Sequence, residues 1–175
     1  MEVIKSITDA LDRFLRLCDR VFLFLANGCL AVMVVGNAVN IFWRGVFDEA
    51  ITLVWPWSMT LFVWGTFFGF FVLYYRRKDV AILVLTRALP AKYHLLLGVL
   101  VYLVIALLMG VIVATAPNRL MTQAGVIELV GMPRYVLSIP FFISCLLIGL
   151  NSLVMVSRIA RAEEAYVPAP IMEPL

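Results

Sequence analysis

Residues 50–75 read AITLVWPWSMTLFVWGTFFGFFVLYY, and residues 76–78 read RRK. No charged residue interrupts Ala50–Tyr75. At ~1.5 Å per residue, a helix of that length reaches roughly 39 Å, more than the ~30 Å hydrocarbon core of a bilayer. Arg76, Arg77 and Lys78 then gather positive charge at one end. Cytoplasmic loops collect Lys and Arg, so this end is expected in the cytoplasm. Trp55 and Trp57 flank Pro56 at the other end, as an aromatic belt with a kink at the start of the helix would. These five residues, Trp55, Trp57, Arg76, Arg77 and Lys78, are the expected membrane-interface anchors.

The rest of the chain follows the same pattern. Of 175 residues, 64% are hydrophobic and only 14% charged, and mean hydropathy is +1.03. Soluble domains run at about 45–50% apolar and about 25% charged, so the composition specifies an integral membrane protein. The basic residues punctuate apolar segments instead of sharing one solvated face, which sets nucleic acid aside. Cys18, Cys29 and Cys145 have no metal or redox spacing. His94 is the only histidine, which disfavours a bis-histidine haem or a multi-histidine metal site. No cofactor and no metal are expected.

Four uncharged spans are expected at about 21–43, 50–75, 95–116 and 135–157. Before them, Ile4, Ile7, Leu11, Phe14, Leu15 and Cys18 recur at helical spacing, so residues 1–20 read as an amphipathic helix on the membrane surface. Asp9, Asp12 and Asp19 within it, and the long apolar run after it, argue against a cleavable signal peptide. Pro117 is expected to end span 3, and Met121–Val130 to form a short helix. The piece around residues 80–85, with Arg87 and Lys92 near it, is too short to span and reads as an interfacial helix. The tail, residues 159–175 with Pro168, Pro170 and Pro174, is expected to be disordered.

Counting bases tests the topology. Lys5, Arg13, Arg16, Arg20, Arg76, Arg77, Lys78, Arg87, Lys92, Arg158 and Arg161 fall on one side of a four-span chain. Only Arg44, Arg119 and Arg134 fall on the other. The fold class is therefore all-α: a four-transmembrane-helix integral membrane protein with amphipathic interfacial helices and both termini cytoplasmic. Residues 21–158 form one membrane domain.

The spans carry little chemistry. They hold no Asp, Glu, Lys or His, although transporters that work alone usually place ionisable groups near mid-membrane. Asn27, Asn37, Asn40, Thr60, Thr66 and Asn151 are the neutral polar groups left. Asn37, Asn40 and Arg44 share one helical face, and Gly65 and Gly69 form a GxxxG pair that permits close helix approach. These five are the expected subunit-interface residues. No catalytic constellation is visible, so an enzyme is not expected.

Several stretches together resemble the small membrane subunit, the DctQ-like component, of tripartite ATP-independent periplasmic (TRAP) transporters. They are the four-span layout, Asn40-Ile41-Phe42-Trp43-Arg44, the Leu61-Phe62-Val63-Trp64 run through Gly69 to Arg76-Arg77, and Leu89-Pro90. Many members differ at Trp55-Pro56-Trp57-Ser58, where they carry acidic residues. The resemblance implies a multi-pass protein of the bacterial inner membrane that serves as scaffold in an ion-gradient-driven secondary transporter. Its implied partners are a large membrane permease subunit (DctM-like), a periplasmic binding protein that delivers a small organic acid, and membrane lipids. A stand-alone homo-oligomeric channel or transporter is the competing reading, and a membrane-assembly or electron-transfer subunit the third.

Overall fold

The computed structural model describes residues 2–76, 94–123, 125–127 and 130–160. Arg77, Lys78, the expected interfacial helix around residues 80–85 and the tail from residue 161 lie outside the described residues. Four long helices dominate: α1 (Glu2–Phe47), α2 (Val54–Tyr75), α3 (His94–Thr122) and α4 (Arg134–Ala160). Each is long and apolar enough to cross a bilayer.

Helices α1 and α2 pack as one hairpin, and α3 and α4 as another. The hairpins join through α2 and α4, which form the central pair; α1 flanks α2, and α3 flanks α4. Half of the most apolar window of α4 is buried within the chain, against 6% for α1. The outer helices therefore leave most of their apolar surface for lipid or another protein.

At 46 residues, α1 is roughly 69 Å long, about twice what a bilayer needs. It runs through residue 20 without a break. The amphipathic segment and span 1 are one rod, and Leu15 is fully buried in the shared core. Asp48, with φ 58°, stops the rod. Its N–H returns to Arg44 O at 3.0 Å, and aspartate tolerates this left-handed conformation better than most residues.

Two expectations are corrected on the far side. Pro117 lies inside α3, which continues to Thr122. Proline lacks one helical N–H, but membrane helices tolerate it when neighbouring groups satisfy the freed carbonyl. After α3 comes a short antiparallel ladder, β1 (Val126–Ile127) and β2 (Met132–Pro133), in place of a helix over Met121–Val130. Gly131, at φ 68°, makes the tight turn, and its N–H bonds Ile127 O at 2.8 Å.

The core is aromatic where the helices meet. Phe22 packs edge-on against Phe68 and Phe71, with ring centroids 5.0 and 5.5 Å apart. Phe67 meets Phe141 at 5.1 Å. Such pairs add about 0.5–1.5 kcal/mol beyond area burial.

Candidate functional site: a braced helix layer

Lipid tails are as apolar as leucine, so burial alone does not bind one membrane helix to another. Close packing and hydrogen bonds do. The polar residues of the spans supply those bonds here.

The loop end of the α1–α2 hairpin is bracketed by two asparagines. Asn37 Nδ2 donates to Ser58 Oγ at 2.9 Å and to Met33 O at 2.7 Å. Asn40 Oδ1 accepts the Ile51 N–H at 2.8 Å. That bond pairs a loop donor that the connection itself leaves open. Arg44, one turn further, is exposed. Two of the three residues on this polar face thus bind other parts of the same chain, Asn37 the second helix and Asn40 the connection before it, and Arg44 is left exposed.

Gly65 sits at a close approach of α1 and α2. A Cβ built there would lie 3.3 Å from Cys29 Cβ and 3.6 Å from Ala26 O. Gly69, one turn on, would meet nothing within 4 Å. The two glycines therefore differ: Gly65 closes the hairpin, and Gly69 lies on an open surface. The other hairpin has a matching point, where a Cβ on Gly149 would lie 3.4 Å from Met109 Cβ.

The central pair carries buried polar ties. Ser144, fully buried, donates to Phe67 O at 2.7 Å. Ser152 donates to Ile148 O at 2.9 Å and lies 2.7 Å from the Tyr74 hydroxyl. Since the serine proton is engaged, Tyr74 is the donor across the interface. Trp64 Nε1 and Asn151 Oδ1 are the unpaired buried side-chain atoms among the described residues.

At the opposite end from Asn37, α1 lays two aspartates against α2 and α4. Asp19 accepts Arg76 through both oxygens, at 2.8–3.2 Å. Asp12 pairs with Arg16 at 3.0 Å and with Arg158 of α4 at 3.3 Å. Both aspartates are only 7% exposed. The hydrogen bonds that Arg76 donates to Asp19 raise the Arg76 pKa above its ordinary value, against a smaller opposing effect of desolvation. Arg76 thus stays charged throughout the physiological range. Asp12 and Asp19 are seven residues apart, with Leu15 between them and Phe22 beyond. That stripe of acid and apolar residues on one face was the available sign of this brace.

Trp55 and Trp57 are exposed near the start of α2, where they can reach the interface region of a bilayer. Among the described residues, no group of His, Cys, Asp and Glu is arranged to hold a metal.

Four membrane-length helices, uncharged across their spans and tied by neutral bonds, define a multi-pass membrane protein whose polar groups serve its architecture. A family model described as "Tripartite ATP-independent periplasmic transporters, DctQ component" matches residues 30–162. The chain belongs to this family and is a DctQ-type component of a TRAP transporter, located in the inner membrane. The family is one of transporter components, not of enzymes. No curated protein and no solved structure matches the chain.

Proposed function

We propose that the chain is the fixed support of its transporter. It packs beside the immobile part of the large membrane subunit and holds that part in the bilayer. The large subunit moves substrate and coupling ion, and a periplasmic binding protein delivers the substrate, a small organic acid. Both termini of the chain face the cytoplasm, where its bases are concentrated.

The observation that carries this reading is the use made of the polar groups. A carrier needs an ion or substrate site near mid-membrane, usually with ionisable groups or broken helices. Here Asn37, Asn40, Ser144, Ser152 and Tyr74 bond to other parts of the same chain. The spans hold no acid, lysine or histidine. Ion pairs at the end of the layer lock α1 to α2 and α4. These features suit a rigid body. Asn37, Arg44 and Gly69 are the proposed contacts with the large subunit, and Asn40 and Gly65 hold that face in shape.

Reconstitution tests this reading. Proteoliposomes with the chain alone should accumulate no organic acid under a sodium gradient. Cells lacking only this chain should lose uptake that returns when it is supplied again. Accumulation by the chain alone would overturn the support role and favour a stand-alone homo-oligomer.

A further inference from the structure

We propose that Asn27 is a hydrogen-bonding post for a transmembrane helix of the large subunit, which docks in the groove between α1 and α2. The proposal rests on the chain's reading as that subunit's support. It adds the surface and the residue.

Helix pairing sets the depth of Asn27. Asp19 meets Arg76 at one end of α2, and Asn37 meets Ser58 near the other. Gly65 sits between them, against Ala26 and Cys29. Asn27 is eight residues from Asp19 and ten from Asn37. It therefore lies about 12 Å from the ion pair and about 15 Å from the polar bracket, at mid-depth of the apolar layer.

Its side chain is exposed there. It makes no hydrogen bond with any described residue. The neighbouring Thr66 hydroxyl, by contrast, is engaged by Phe62 O at 2.8 Å. A carboxamide has two N–H donors and a carbonyl acceptor, and lipid tails pair none of them. Polar groups in membrane helices face protein or water for this reason.

The surroundings suit a helix. The groove holds about 260 Å³ and is lined by Ala26, Asn27, Leu30, Phe62, Gly65 and Thr66. Gly69 extends the same face of α2 with open space above it. Small residues of this kind let a second backbone come close. The groove between α3 and α4, about 410 Å³ and lined by Leu103, Leu107, Leu146 and Leu153, presents no such polar group. Acyl chains can fill it without leaving a polar group unpaired. Of the two grooves, only the one at Asn27 demands a polar occupant. Membership of a tripartite assembly supplies one: a helix of the large subunit with a Ser, Thr, Asn or Gln, or a backbone carbonyl beside a small residue, at mid-depth.

Photo-cross-linking in native membranes that contain the whole transporter tests the surface. Benzoylphenylalanine is placed at position 27 or, for comparison, at position 107. Position 27 should yield a peptide from a membrane segment of the large subunit, and position 107 should not. Self-adducts of this chain, or lipid adducts alone, at position 27 would overturn the proposal. In parallel, Asn27→Leu should leave the isolated chain at least as stable and lower the retained large subunit about threefold, the order of one interhelical hydrogen bond in lipid. Asn27→Gln should retain it. Lower stability of isolated Asn27→Leu would make Asn27 an internal structural residue and overturn the proposal. If the unsubstituted chain retains no large subunit, the support reading falls with it. If it retains the large subunit but cross-links it from position 107 and not 27, only the docking surface falls.

Discussion

Gly65→Leu pries α1 from α2 and lowers the stability of the purified chain by about 1–3 kcal/mol, the range for overpacking a filled interface. Even one added carbon would sit 3.3 Å from Cys29 Cβ and 3.6 Å from Ala26 O. A leucine adds three more, and helix backbones on both sides cannot yield without losing the Asn37–Ser58 and Asn40–Ile51 bonds further along. Gly69→Leu is the matched comparison, because a Cβ added there meets nothing within 4 Å. It should leave the isolated chain's thermal unfolding unchanged and weaken only the hold on the large subunit. A size exchange sharpens the test: Cys29→Gly should relieve Gly65→Ala. Equal destabilisation of the isolated chain by Gly65→Leu and Gly69→Leu would show that Gly65 is not the closing point of the hairpin.

Asp12→Ala is expected to loosen the charged end. Asp12 is 93% buried by its 7% exposure, and it is the partner of Arg158 on α4 as well as Arg16 on its own helix. Arg16 is largely exposed and loses little. Arg158, with its side chain 23% exposed, loses its acidic partner among the described residues. Breaking a fully buried pair costs about 3–5 kcal/mol, and partial access to water lowers this to about 2 kcal/mol here. The loss should appear in thermal unfolding of the detergent-solubilised chain. It should also appear as protease sensitivity in the first half of α1, which that pair ties to α4. For the neighbouring pair, Asp19→Arg combined with Arg76→Asp should recover what either change alone loses, as a double-mutant cycle measures. No recovery would mean that the bidentate contact does not brace the two helices.

Much of this architecture was legible because its signals are long. Uncharged runs of twenty or more residues, each with a base near at least one end, identify all four spans, and the run from Ala50 does so most plainly. What the chain does at their ends was less legible. Pro117 reads as a stop, yet α3 passes through it, since hydrocarbon penalises unravelled backbone more than a single missing N–H. Met121–Val130 has no periodicity that separates a turn of helix from a two-residue ladder. Residues 1–20 carry a clear amphipathic pattern, but amphipathicity is the same whether the apolar face meets lipid or other helices. The continuity of α1 and the pairing of Asp12 and Asp19 are tertiary facts. The polar residues show the same limit. Asn37, Asn40 and Gly65 stand out in the sequence as contact residues, and the fold adds that each also meets another part of the same chain. Asn27 stands out only in the fold, because its exposure depends on where α2 lies.

The central claim is that this chain holds a larger membrane subunit and is not itself a carrier. Isolating the tagged chain from native membranes in mild detergent, with intact-complex mass spectrometry of what accompanies it, tests this most directly. The account predicts a complex that contains this chain together with a large multi-span permease. Recovery of the chain only as a monomer or as homo-oligomers, from membranes shown to contain the permease, would contradict it.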